Sequence, residues 1–369
     1  MRLLYSLLAF LFVLQTTFAD DSKKTLAIFT YEDSRQSYWD KTSLLSGVTG
    51  SEEAIIYMAD ELAALGYQVT IFANPAPDSP LTDSKFNPRY VNVKYDDETI
   101  YDVGIVWRQP YAGHEFKKKA KEVYLWPHDT HHWEVSKESA EVFKDVLWLT
   151  NWQREQWLTV APAFEKFKNI YGNGIWPEFY FPLNKKENPY SCIYASNYSR
   201  GLEVLLDCWP TVKSLFPKAT LDIYYGWQNW GMLSAEKEAK MRAQVDSLQT
   251  LDVKEHGMVG HPELHKAFSK ASFWTYPCIA QETFCITALK AQYSGAIPVI
   301  IEGSGLTETC PFGYKSHQVK DYLSNLIIAM LDSETIKDET RAEMRSFIDE
   351  KYTWKKIAEK WHETFSKKD

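Results

Sequence analysis

Arg200 and Glu282 carry the two charged side chains whose local settings suggest chemistry most directly. Arg200 closes the segment Ala195-Ser196-Asn197-Tyr198-Ser199-Arg200-Gly201, which follows a strand-like run and enters a helical pattern. Backbone amides, two hydroxyls and one guanidinium in such a loop could together hold a diphosphate, with the guanidinium bidentate on its oxygens. The plain alternative is a solvated arginine at a helix start. Glu282 stands in Pro277-Cys-Ile-Ala-Gln-Glu282-Thr283-Phe284, between the end of a strand and a helical pattern that ends at Gly295. A carboxylate at such a helix start can accept hydrogen bonds from sugar hydroxyls, or can simply complement the helix dipole. A third segment, Gly47-Val-Thr49-Gly50-Ser51-Glu52-Glu53, has glycines for close backbone approach and Ser51 as a cap for the next helix, a pattern shared with ordinary turns. The fourth, Trp126-Pro-His128-Asp129-Thr-His131-His132-Trp133, invites a metal reading, but two of its histidines are adjacent and no distant ligand cluster accompanies it, so no metal is expected. No GxGxxG follows a strand, which disfavours a nucleotide-dependent dehydrogenase.

These segments need elements to position them. Strand-like runs at Leu26 to Phe29, Val69 to Phe72, Val103 to Trp107, Val123 to Trp126 and Val146 to Leu149 surround a helical pattern over Ser51 to Leu65. Strand, helix, strand in that order implies a parallel sheet covered on both faces. A polar, proline-bearing stretch from Phe181 to Pro189 reads as a linker. A second series follows, with strands at Cys192 to Ala195, Leu221 to Tyr225, Val253, Ser272 to Tyr276 and Ile297 to Ile301, and a helix over Arg200 to Leu215 kinked at Pro210. Beyond Lys320 the pattern is helical, with Trp354, Ile357, Ala358 and Trp361 on one face. The expected architecture is α/β: two doubly wound parallel-sheet domains in tandem.

Size and composition agree with that organisation. A chain of 369 residues exceeds what one core usually serves, and 45% hydrophobic with 24% charged residues excludes both disorder and a multi-span membrane protein. A net charge of −8 provides no broad basic field for nucleic acid. The five cysteines include no CxxC pair and are expected to be buried thiols. At the start, Met1-Arg2 and the apolar run Leu3 to Leu14 precede Thr17-Phe18-Ala19, which predicts a signal peptide cleaved after residue 19 and a secreted or secretory-lumen product with no membrane span, a retained signal anchor being the alternative.

Together these segments resemble the GT-B glycosyltransferases, in particular the retaining enzymes of glycosyltransferase family 4. The Gly47 to Glu53 loop with Ala-Leu-Gly-Tyr67-Gln-Val-Thr-Ile-Phe72 resembles the family's glycine loop, first helix and second strand. Leu149-Thr-Asn-Trp-Gln-Arg154 and Tyr171-Gly-Asn173-Gly174-Ile175 are similar to the segments preceding its interdomain linker, and Arg200-Gly201-Leu202 stands where the family has Lys-Gly-Leu. Glu282 matches the first acid of the family's Glu-x7-Glu motif, while Lys290 occupies the place of the second. The resemblance implies an N-terminal acceptor-side domain over 20–180, a linker over 181–190, a donor domain over 191–335, and helices over 336–369 returning to the first domain. The two domains would face each other across a cleft.

The resemblance also implies roles. Glu282 and His128 are expected to be catalytic; Arg200, Gly201, Ser196 and Gly50 to hold the donor diphosphate; and Thr283, Phe284, Lys290 and Gly226 to line the sugar or nucleotide pocket. Gly47, Thr49, Ser51 and Glu52 would form the N-terminal loop of the cleft. The donor would be a nucleotide sugar, used without metal or other cofactor, and the acceptor an unspecified glycan, lipid or protein. A catalytically silent GT-B module that binds a sugar or nucleotide is the competing expectation, because a lysine at position 290 cannot accept a hydrogen bond from a ribose hydroxyl.

Overall fold

The computed structural model describes residues 23–31, 38–96, 98–130, 135–227 and 232–367. The expected signal peptide, His131 and His132 lie outside the described residues. The chain divides into two compact units.

The first unit comprises the described residues within Met1–Thr42, Ser51–Gly172 and Trp354–Asp369. Its strands are β1 (Thr25–Phe29), β2 (Gln68–Ala73), β3 (Arg89–Asn92), β4 (Tyr101–Trp107), β5 (Ala120–Trp126) and β6 (Asp145–Val146). They form one sheet in the order β3-β2-β1-β4-β5-β6, and every pairing is parallel. Helix α1 (Gly50–Ala64) connects β1 to β2, and α2 (Asn151–Val160) follows β6. Central strands of such a sheet are covered on both faces, which is why Leu26 to Phe29 and Val103 to Trp107 read as continuous apolar runs.

The second unit comprises Ser43–Gly50 and Asn173–Thr353. Its sheet, also wholly parallel, has the order β12-β11-β10-β7-β8-β9. The strands are β7 (Ser191–Ala195), β8 (Thr220–Tyr224), β9 (Val253–Glu255), β10 (Phe273–Tyr276), β11 (Ile297–Ile301) and β12 (Tyr314–Ser316). The helices are α3 (Leu202–Leu215), which runs unbroken through Pro210, α4 (Ala235–Leu248), α5 (His261–Lys270), α6 (Ile286–Tyr293), α7 (Val319–Leu331) and α8 (Asp338–Lys351). Both sheets change direction at one point, between β1 and β4 in the first and between β7 and β10 in the second. A crevice opens at such a point beyond the carboxyl ends of the strands.

The stretch from Phe181 to Pro189 is fastened to the second unit: Lys186 Nζ donates to the Ser269 and Ser294 carbonyls at 2.7 and 2.8 Å, and Arg345 Nη2 donates to the Phe181 carbonyl at 2.8 Å. Those serine carbonyls lie at the C-terminal ends of α5 and α6, where a cation is favoured. Helix α8, which buries Met344 and Ile348, is counted with the second unit, and the last segment counted with the first begins at Trp354.

Helix α9 (Trp354–Ser366) then completes the first unit. Trp354, Ile357, Ala358 and Trp361 are fully buried, as their spacing predicts. Trp361 meets Trp126 edge-on at 4.7 Å, Phe365 lies 4.6 Å from Tyr124, and the Tyr67 hydroxyl is 2.9 Å from His362 Nδ1. Trp361→Ala should therefore cost about 3–5 kcal/mol, the range for deleting a buried large aromatic. Chemical denaturation of the full chain checks this, and a loss below about 1 kcal/mol would show that the helix is not integral to that core.

Candidate functional site

The crevice between β7 and β10 collects the residues singled out in the second unit. Strand β7 delivers Ser196 to Arg200, and β10 delivers Pro277 to Glu282. Gly201 joins the two loops. Its φ of +93° is the left-handed conformation that terminates the turn before α3, and a Cβ there would sit 2.1 Å from the Pro277 carbonyl oxygen. Glycine is required at that position for conformation and for space.

The first loop is held tight by its own side chains. Asn197 Oδ1 accepts from the Ser199 amide at 2.9 Å and the Ser199 hydroxyl at 2.7 Å, while the Asn197 carbonyl accepts from the Tyr194 hydroxyl and the Arg200 amide. The Tyr198 hydroxyl donates to Glu255 at 2.5 Å and accepts from the Gly226 amide at 3.0 Å, so it ties the loops after β7, β8 and β9 together. Gly226 is thereby placed beside the Ser196–Gly201 loop, with φ +80°.

Glu282 does not begin a helix. Helix α6 starts at Ile286, and Glu282 lies in the loop before it, which removes the dipole-complement reading. Its amide donates to Ser304 Oγ at 2.9 Å, and its carbonyl accepts from the Gly305 amide at 2.8 Å, so the loop after β11 clamps its backbone. Its Oε1 accepts from the Tyr276 hydroxyl at 2.5 Å and lies 3.7 Å from Arg200 Nη1 and 3.8 Å from Cys278 Sγ. Arg200 Nη1 also donates to the Gln281 carbonyl at 3.3 Å. Burial raises the Glu282 carboxyl above its ordinary range, against the opposing effects of Arg200 and the Tyr276 hydroxyl. Burial disfavours the Arg200 charge, but Glu282, Tyr276 and Cys278 together outweigh it and hold the guanidinium firmly protonated. Both side chains keep a solvent-facing portion, 25% for Arg200 and 16% for Glu282.

The other expected pocket residues are placed less uniformly. Ser196 Oγ lies 3.3 Å from the Tyr276 hydroxyl and so belongs to the Glu282 cluster. Thr283 continues the Glu282 loop, and its carbonyl lies where a Cβ on Gly305 would collide. Phe284 is packed edge-on against Tyr352 at 5.6 Å and faces the interior. Lys290 is buried, and with desolvation it keeps the buried imidazoles of His261 and His265 neutral. Gly47 is counted with the second unit, where a Cβ would strike Met258; at Gly50 a Cβ would meet nothing, so no close approach demands glycine there. Helix α1 begins at Gly50, which puts Ser51 inside its first turn and Thr49 before it, so Ser51 is not the cap.

In the first unit, the crevice between β1 and β4 gathers Glu52, Arg108, His128 and Asp129. Arg108 follows β4 with the positive φ of +66° and makes a two-pronged bond to Asp129, Nε to Oδ2 at 2.9 Å and Nη2 to Oδ1 at 2.6 Å. Glu52, buried in the first turn of α1, adds to the field that holds Arg108 protonated. His128 lies 4.7 Å from Trp126 and 5.7 Å from Trp107, ring to ring, and burial together with Arg108 lowers its pKa to about 3. It is a neutral imidazole, able to position a hydroxyl but not to neutralise a phosphate. Gln153 and Trp157 on α2 fix this loop by donating to the Pro127 and Asp129 carbonyls. Gln153 lies within the segment likened to the family, but without the fold nothing in its spacing links it to His128.

No family model matches this sequence, and no curated protein matches it either. Solved structures do. Sucrose-phosphate synthase from Thermosynechococcus elongatus superposes with a TM-score of 0.70 at 13% identity, over 93% of this chain and 98% of that one. Anabaena HepE in complex with UDP and glucose gives 0.67 at 13% identity, over 94% and 100%. The fold is GT-B. WaaG, a glycosyltransferase of lipopolysaccharide biosynthesis, shares it with a TM-score of 0.64 at 15% identity, over 93% and 100%.

Two expectations follow for this GT-B chain. A carboxyl that binds its proton more tightly when folded lowers stability as pH rises from the ordinary glutamate value. The stability of Glu282→Gln relative to the wild type should therefore rise as pH increases above about pH 4, whereas a difference that does not change with pH would assign the carboxyl an ordinary pKa. The sequon Asn197-Tyr198-Ser199 is buried and self-bonded, so intact-mass analysis of folded protein exposed to a glycan-transferring enzyme should find Asn197 unmodified. Full occupancy with the fold intact would contradict the loop's closed geometry.

Proposed function

We propose that this chain is a glycosyltransferase that takes a sugar from a nucleotide-diphosphate donor and passes it to an acceptor with retention of anomeric configuration. The observation that carries the reading is the meeting of Arg200 and Glu282 at the β7/β10 crevice of a GT-B fold. The structurally similar HepE is described in complex with UDP-glucose, which supports a donor of that class.

In this reading Arg200, the amides around Gly201 and the Ser196 hydroxyl hold the diphosphate. The guanidinium neutralises charge as the nucleotide leaves, so a metal is not needed for that task. Glu282 accepts hydrogen bonds from the donor sugar, and its clamped backbone keeps the carboxylate where those bonds form. His128, held neutral, orients a hydroxyl of donor or acceptor without competing for the phosphates. The acceptor attacks on the face from which the nucleotide departs, as retention demands. Lys290 is a rewired position in this reading, its side chain engaged inside the second unit beside His261 and His265. The mature chain, beginning at residue 20, would work in a secretory lumen.

The test is ligand binding followed by transfer. A thermal-shift panel of UDP, GDP, ADP and their sugars should show one nucleotide adding about 2.7 kcal/mol at a hundredfold excess over Kd. Arg200→Ala should weaken that nucleotide by about 1.5–3 kcal/mol, roughly 10- to 150-fold. Unchanged affinity would remove the diphosphate role, and tight binding with neither hydrolysis nor transfer would favour a silent binding module.

A further inference from the structure

In the ligand-free protein one oxygen of Glu282 faces Arg200, the Tyr276 hydroxyl and, at 3.8 Å, the weakly donating Cys278 thiol, and the first two differ in what a ligand does to them. Arg200 Nη1 is 3.7 Å away and partly exposed, free to turn toward an incoming anion. The Tyr276 hydroxyl is 2.5 Å away on a fully buried ring at the end of β10, and it cannot follow a ligand. The ring is stacked on Trp274 at 5.0 Å, and its hydroxyl lies 3.3 Å from Ser196 Oγ in the opposite loop. Ser196, Tyr276 and Glu282 thus form a hydrogen-bonded chain across the crevice.

A diphosphate that captures Arg200 takes the counter-charge from Glu282 and brings negative charge of its own. A half-buried carboxylate in that position would take up a proton and, once protonated, would lose acceptor capacity toward sugar hydroxyls. We propose that Tyr276 is a positioning residue, the fixed donor that keeps Glu282 an aimed acceptor after the donor substrate has claimed Arg200. The inference rests on the nucleotide-sugar reading of this crevice and extends it to a residue that touches neither nucleotide nor sugar. The other titratable groups within electrostatic reach of Glu282 are Cys278 in its own loop, Cys285 at the start of α6 and Tyr194 on β7. All three are neutral because burial raises their pKa values, so none can replace the charge of Arg200.

The experiment measures protons. UDP-glucose, whose two phosphates do not titrate near neutrality, is bound calorimetrically at neutral pH in buffers of different ionisation enthalpy, which counts protons taken up on binding. The wild type should take up almost none. Tyr276→Phe, which removes one oxygen from a buried ring, should take up a substantial fraction of one proton, and Glu282→Gln in that background should abolish the uptake. In parallel, the acid limb of donor turnover should move up by about one pH unit in Tyr276→Phe, with kcat falling more than KM rises, as loss of a charge-assisted hydrogen bond to Glu282 requires. Equal proton counts and pH profiles in wild type and Tyr276→Phe would overturn the inference while leaving the nucleotide-sugar reading intact. Absence of binding by UDP, GDP, ADP and their sugars alike would overturn both, and a nucleotide other than UDP found in that panel would replace UDP-glucose by its own sugar as the probe. Should Tyr276→Phe fold poorly, the infrared difference between wild type and Glu282→Gln decides instead: an ionised carboxylate band retained with UDP-glucose bound supports the role, and a protonated carbonyl band overturns it.

Discussion

Everything distinctive about the second unit depends on one close approach, that of the Gly201 backbone to the Pro277 carbonyl. A single methyl group there would stand 2.1 Å from the oxygen. Strands β7 and β10 are neighbours from which the chain winds outward in opposite directions, so the loops leaving them diverge unless something draws them together. Contact between their backbones sets a fixed frame between Arg200 and Glu282, residues 82 positions apart in sequence. The loop after β11 reinforces it, since a Cβ on Gly305 would lie 2.3 Å from the Thr283 carbonyl oxygen and 2.7 Å from that of Glu282. Charged side chains on flexible loops would spend much of their interaction energy on being ordered; here the frame supplies the order in advance.

The two crevices use charge in opposite ways. Arg108 is committed: both arms of its fork are bound to Asp129, its backbone is held in a conformation that side-chain-bearing residues seldom adopt, and Glu52 is near. Such a guanidinium braces a loop and has little left to offer an anion. Arg200 meets Glu282 at 3.7 Å through one nitrogen, with a carbonyl as its other partner. That looser engagement leaves an arginine whose position is defined but whose donors are not exhausted, which suits a group that must change partners.

Much of this was legible in the sequence. Ten of the twelve strands among the described residues were readable, the eight interior ones because parallel strands buried on both faces are runs of aliphatic and aromatic residues, and the edge strands β6 and β9 through their buried Val146 and Val253. The two that were not, β3 and β12, are the outer strands at one edge of each sheet, four and three residues long, and pair on one side only, so they carry no such run. The loop around Arg200 and the acid at 282 could be seen because glycine, hydroxyl and charge cluster locally. Tyr276, Ser304, Gln153 and the Arg108–Asp129 pair could not, since each acts across 6 to 26 residues of intervening chain and only the topology puts them in contact. Lys290 was visible as a departure from a pattern, but that its charge acts on two buried histidines of α5 is a property of helix packing.

Helix α9 has a consequence for how the protein is made. The first unit is assembled from stretches of the polypeptide that lie on either side of Asn173–Thr353. During synthesis, Trp126, Tyr124 and Tyr67 emerge more than two hundred residues before those that cover them, Trp361, Phe365 and His362. The second unit can close its core while the first still presents a bare aromatic face. Completion of the first unit thus waits for helix α9 to be delivered, and nascent chains arrested before residue 354 are the species on which chaperones and proteases would act.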